Sequence, residues 1–187
     1  VDGVKVASTY DSTLGTLTPT TALVAGSHTL SYSLTDSAGN ESGRSGNLTI
    51  VVDTSAPTAP SAITVTPSGG TVVANTVNST NTAVTFGATI AQGEATGGKA
   101  EFYVSGTLIG TDSTISATDT SVSYSTSDGT PTAAELQAAL TSGGLVTVKL
   151  YDAAGNVITG TGPTLVYDVT APTTPAAPTS YYDNVGS

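Results

Sequence analysis

Cysteine, methionine and tryptophan are absent from the 187 residues. No disulfide can staple the fold, no thiolate can hold a metal, and few side chains are easily oxidised. Cations are scarce as well. Four Lys and Arg stand against fourteen Asp and Glu, giving a formal net charge of −10 and a pI near 4.1. That balance excludes nucleic acid as a partner, because phosphate binding is built from Lys and Arg contacts. No apolar run is long enough to cross a bilayer, so membrane insertion is not expected. The sequence does not open with a basic-then-apolar leader, and an export signal is expected outside it.

The groups that usually carry enzymatic chemistry are equally thin. His28 is the sole histidine, so a Ser-His-Asp arrangement would have to use it; AGSHTL places it at the start of a strand among ordinary turn residues. Glu94 and Glu101 are the carboxylates to test as a glycosidase pair, yet glycines surround them, no cleft aromatics accompany them, and the spacing is not diagnostic. No Gly-rich phosphate loop joins a strand to a helix. Tyr10, Tyr32, Tyr103, Tyr124, Tyr151 and Tyr167 read as sandwich core or edge residues rather than a sugar-stacking platform. An enzyme is not expected.

What is present is threonine, serine, glycine, valine and alanine, with only 10% charged residues, a composition that favours short strands and turns over helices. TLSYSLT (29–35) alternates Leu30, Tyr32 and Leu34 with Thr and Ser. LVTVKLY (145–151) alternates Val146, Val148 and Leu150 with polar neighbours. Both patterns describe half-buried strands. Each runs into the same acidic turn, TDSAGNE (35–41) or YDAAGNV (151–157), in which glycine tolerates positive φ and Asp and Asn bond nearby amides. A second strand follows, NLTIVVD (47–53) or TLVYDV (164–169), and then a proline-rich connector, TSAPTAP or TAPTTP. Prolines hold such connectors extended and stop a central strand, so both mark domain boundaries.

The match extends backwards, VDGVKV (1–6) to VSGTLI (104–109) and TPT (18–20) to TPT (130–132). The second copy carries an insertion, TAAELQAAL (132–140), whose Ala and Leu spacing behind a capping threonine and Glu135 predicts one short helix. It also carries opening strands SAITVTP, TVVANTV, TAVTFGATI and KAEFYV, which the first copy lacks. The expected organisation is therefore the C-terminal half of a module at 1–53, a complete module at 54–169, and a linker with the start of a following repeat at 170–187. Half a sandwich exposes an apolar face and unpaired edges, so its missing half is expected to come from elsewhere.

The repeated acidic positions are Asp36, Asn40 and Asp53 in one copy and Asp152, Asn156 and Asp168 in the other, with Asp183 in the following repeat. One isolated turn of this kind needs no ion, since Asp and Asn make good turns unaided. Repetition with a matched linker aspartate adds a second reading. Calcium accepts six to eight oxygens in irregular loop geometry, and a loop Asp plus a linker Asp suits that demand at a module junction.

The strand–DxAGN–strand–VDxTAPxxP pattern, in LTDSAGNESGRSGNLTIVVDTSAPTAP and LYDAAGNVITGTGPTLVYDVTAPTTP, resembles the bacterial immunoglobulin-like repeats of giant secreted adhesins of the repeats-in-toxin and biofilm-associated type. The resemblance implies an all-β chain of immunoglobulin-like Greek-key β-sandwich modules in tandem, secreted to the bacterial cell surface. It implies calcium at the linkers, held by Asp36, Asp53, Asp152 and Asp168 with Asn40, Asn156 and Asp183 as further ligands. The function it implies is a structural extender whose partners are neighbouring modules of the same chain, the host or surface ligand being bound by another domain. The alternatives are a module that itself binds glycan or protein, and an accessory domain of a secreted polysaccharide-degrading enzyme.

Overall fold

The computed structural model of the chain describes residues 1–126 and 144–179. Within them every regular element is a strand, so the protein is all-β. The helix expected at 132–140 and the repeat start holding Asp183 lie outside the described residues.

Four strands come first: β1 (Ser8–Asp11), β2 (Thr16–Pro19), β3 (Gly26–Leu30) and β4 (Leu48–Val52). They form two separate antiparallel pairs, β1 with β2 and β3 with β4. No residue before Pro57 is buried. TLSYSLT holds strand geometry only as far as Leu30. Beyond it the chain is tied to its neighbour through mixed bonds: the Tyr32 amide donates to Ser45 Oγ and the Leu34 amide to Ser42 Oγ, at 3.0 and 2.9 Å, while the Ser45 and Ser42 amides donate to the Tyr32 and Leu34 carbonyls.

The closed core is built by the strands that follow. β5 (Ser61–Ser68), β7 (Ala83–Thr89) and β10 (Ser121–Ser125) make a three-stranded sheet in the order β10-β7-β5. β6 (Thr76–Val77), β8 (Lys99–Val104), β9 (Thr107–Asp112), β11 (Gly144–Tyr151) and β12 (Val157–Tyr167) make a five-stranded sheet in the order β6-β12-β11-β8-β9. All pairs are antiparallel except β6 with β12.

Strict alternation decides which side chains meet between the sheets. Val84, Phe86 and Ala88 on β7 are buried together with Phe102 and Val104 on β8 and with Val146, Val148 and Leu150 on β11. Phe86 and Phe102 are tilted neighbours with ring centroids 6.4 Å apart. Val65, Val122 and Leu165 belong to the same apolar cluster. The four opening strands and LVTVKLY read from the sequence lie in this sandwich-like unit.

Candidate functional site at the acidic turns

The Asp-x-x-Gly-Asn sequence folds the same way twice. In the first copy Asp36 Oδ1 accepts the Ala38 and Asn40 amides at 2.9 and 2.8 Å, and Oδ2 accepts Asn40 Nδ2 at 2.9 Å. In the second, Asp152 Oδ1 accepts the Ala154 and Asn156 amides at 2.9 Å each, and Oδ2 accepts Asn156 Nδ2 at 2.9 Å. The backbone repeats too. The amide of each Asp donates to the carbonyl of the Asn four residues on, and each glycine amide donates to the carbonyl of the Asp. Gly39 and Gly155 turn the chain at φ of 88° and 92°, where a Cβ is disfavoured.

These donors set the electrostatics. The Asn40 side chain, followed by the local amides, holds the Asp36 carboxyl below its ordinary value, and Asn156 does the same for Asp152. The two turns differ in surroundings. Asp36 is exposed, whereas Asp152 is buried.

The linker aspartates are also alike. Asp53 Oδ1 accepts the Ser55 amide at 2.9 Å and Asp168 Oδ1 accepts the Thr170 amide at 3.0 Å, so each caps the connector that follows it. One linker aspartate reaches a turn: Asn156 Nδ2, already bonded to Asp152, also donates to the Asp53 carbonyl at 3.2 Å. The chain leaving the first copy is thereby fastened to the acidic turn of the second. Two residues of the same connector are buried, Pro57 and Pro60, and Thr58 between them donates its amide to Glu94 at 2.5 Å.

Of the seven residues read as metal ligands, the structure brings Asp53, Asp152 and Asn156 together and pairs Asp36 with Asn40. Asp168 is held at the end of β12, where its amide donates to the Val77 carbonyl. At the Asp53–Asp152 junction the Asn156 side-chain nitrogen donates both to the Asp152 carboxylate and to the backbone carbonyl of Asp53. Among the described residues no three or more His, Cys, Asp or Glu side chains gather into a group that could hold a metal ion. The turn carboxylates fit their amide donors, and the described arrangement does not fit a calcium cage built from carboxylates alone.

A second cluster escaped the sequence reading. Glu101, nearly enclosed on β8, accepts Lys99 Nζ at 2.6 Å, Tyr103 Oη at 2.7 Å and Tyr151 Oη at 3.0 Å. Burial pushes its carboxyl up, but these three donors more than offset that and leave it below the usual range. The carboxylate in turn raises the Tyr103 phenol to about 12, with burial adding to the effect. Lys99 and Lys149 lie over the rings of Tyr151 and Tyr103, each 4.7 Å from the centroid. Both phenols are bonded to one carboxylate, and an ammonium group lies over a face of each ring. The signal in the sequence was the period-2 run Lys99, Glu101, Tyr103; what it lacked was the register placing Lys149 and Tyr151 beside it.

His28 is likewise engaged. Nδ1 lies 2.8 Å from Asp2 Oδ2 and Nε2 lies 2.8 Å from the Val24 carbonyl. Only the imidazolium can donate to both, and the Asp2 carboxylate beside it raises its pKa.

These features define an all-β, sandwich-like protein with a duplicated acidic turn. Comparison with known protein families, with curated proteins and with solved structures finds no match for this chain.

Proposed function

We propose that this chain is a structural extender from a bacterial surface adhesin, and that its work is to hold successive immunoglobulin-like units at a fixed distance and angle. The observation that carries this reading is the hydrogen bond from Asn156 Nδ2 to the Asp53 carbonyl, which joins the connector of one repeat to the acidic turn of the next. The connector adds buried Pro57 and Pro60, whose φ angles are fixed, and the Thr58–Glu94 bond between them. A chain built to pass position from one unit to the next needs these features; a catalyst does not.

The Greek-key, immunoglobulin-like assignment is supported by the two sheet orders, and by β6 running parallel to β12 while every other pair is antiparallel. Under this reading residues 1–53 are the C-terminal half of one module, residues 54–169 a complete module, and residues 170–187 lead into a third. Secretion to the cell surface follows from the resemblance of the junction motifs, as does the assignment of the host ligand to another domain.

Calcium is the component of this reading that experiment decides. Asp53, Asp152 and Asn156 are the residues that would hold an ion at the junction, and its charge would offset that of the two aspartates there. The test is thermal unfolding in millimolar calcium and again in excess chelator. A calcium-bound extender melts higher in calcium, by about 1.4 kcal/mol of added stability at ten times Kd. Asp152→Ala and Asp168→Ala then shrink the calcium-dependent part without changing the fold in excess calcium. Superimposable melting curves in both conditions for the parent and both variants would remove calcium and leave a junction held by hydrogen bonds and prolines.

A further inference from the structure

The two copies can be aligned through matching turns and hydrogen bonds. Asp2 and Gly3 turn the chain at φ of 51° and 79°; Ser105 and Gly106 do so at 48° and 80°. The Asp2 amide donates to the Thr29 carbonyl and the Ser105 amide to the Leu145 carbonyl. Val1 therefore stands where Val104 stands, Leu30 where Val146 stands, Tyr32 where Val148 stands and Leu34 where Leu150 stands.

Identical places have opposite fates. Val148 and Leu150 are 0% exposed, whereas Tyr32 is 55% and Leu34 67% exposed. Ile109 is 4% exposed and Val6, its counterpart, 41%. Val6 and Tyr32 line a groove of about 450 Å³ between the two hairpins, with Leu17 and Leu48 and with the charged Lys5, Glu41 and Arg44, while Leu34 lies outside it.

The groove also has an open edge. In the closed unit β11 is flanked on both sides, by β12 and by β8, with Thr147 opposite Tyr103 and Lys149 opposite Glu101. Their counterparts are Ser31 and Ser33. Tyr32 and Leu34 direct their amides and carbonyls toward the Ser42–Ser45 side, and no described backbone group bonds Ser31 or Ser33. A partly apolar trough beside an unpaired edge is the arrangement that strand addition uses: main-chain bonds supply attachment, and alternate side chains fill the apolar part of the trough.

We propose that residues 1–53 form a strand-accepting groove, and that its occupant is a β-strand of alternating apolar residues, like Lys99–Val104, laid antiparallel along residues 31–34 in register with Val1. The occupant's chemistry is read from what covers the equivalent face in the closed unit. There Ala100 and Phe102 of β8 point inward, and Val84, Phe86 and Ala88 of β7 lie across from them. The proposal rests on the half-module reading of residues 1–53 and is independent of calcium and of the spacer role.

The test places a second copy of residues 56–103 directly ahead of Val1 in the full chain, the position the register demands, and follows hydrogen exchange at two places. The expected result is protection of the added segment together with slowing of the Ser31 and Ser33 amides by about 100-fold. The same addition carrying Phe102→Asp in the added copy is expected to lose both. If the added segment becomes protected while Ser31 and Ser33 exchange as before, the groove is overturned and the half-module reading stands. If neither becomes protected, both fall. Sedimentation of the parent chain supplies the remaining arm: a dimer whose Ser31 and Ser33 amides are already slow would make the occupant a second copy and overturn the single-strand assignment.

Discussion

Glu101 shows how one side chain orders its surroundings. It is a carboxylate on the outer face of a sheet, yet it is almost enclosed because two tyrosines and a lysine converge on it. The Tyr103 phenol must give up its proton into a site already holding negative charge, which lifts it to about 12. A phenol whose pKa is raised on folding contributes stability that is whole below its unfolded value, about 10, and is lost as pH rises toward 12. Glu101→Gln removes the charge but keeps an acceptor of the same shape. Tyr103 is then expected to ionise closer to 10, and its share of the alkaline loss of stability between 10 and 12 to shrink, because the folded and unfolded values come together. Ultraviolet titration of the variant, with Tyr103→Phe to assign the signal, checks this. An unchanged titration curve would show that burial, not the carboxylate, holds the proton.

At the scale of elements, β12 is shaped by what crosses it. A Cβ at Gly160 would lie 2.3 Å from the Pro60 carbonyl oxygen, and one at Gly162 would lie 2.4 Å from Ile63 Cγ2. Neither glycine has the positive φ that explains Gly155; they are glycines because the connector and the start of β5 press against the strand. Gly160→Val is therefore expected to cost about 1–3 kcal/mol by overpacking. Gly43→Val, where nothing lies within 4 Å, is expected to stay within about 0.5 kcal/mol of the parent. Urea unfolding of the two variants separates them, and equal midpoints would contradict the packing account.

The same scale shows what the sequence makes legible. Alternation in AVTFGAT, KAEFYV and GLVTVKLY reports the buried face directly, because each of these strands has one side against the core. TLSYSLT carries the same pattern but is a regular strand only to Leu30. Alternation records what a segment can bury, not whether a covering strand is present. The acidic turns were legible because all their bonds are local. The Asn156–Asp53 bond was not, since it joins a side chain to a backbone carbonyl 103 positions away, and a backbone carbonyl leaves no mark in the sequence. Glu101 was hidden for a related reason: its Tyr151 partner lies 50 positions distant and meets it only through the β8–β11 register.

For the whole molecule, the question is how firmly the first 53 residues are held to the rest. Asn156 Nδ2 serves two acceptors, Asp152 within its own turn and Asp53 across the connector, while Asn40 serves only the turn to which it belongs. The pair makes an internal control. Asn156→Ala removes a bond across the junction, an interaction of about 1 kcal/mol, which changes the balance between fastened and released arrangements roughly fivefold. Asn40→Ala loosens an identical turn and leaves the junction intact. Because the chain has no cysteine, spin labels at Thr18→Cys and Ser113→Cys report the distance across the junction without background. The distance distribution is expected to broaden in Asn156→Ala and to match the parent in Asn40→Ala. A distribution that broadens equally in both would trace the effect to the turns themselves. One that broadens in neither would put the stiffness of the junction in Pro57, Pro60 and the Thr58–Glu94 bond.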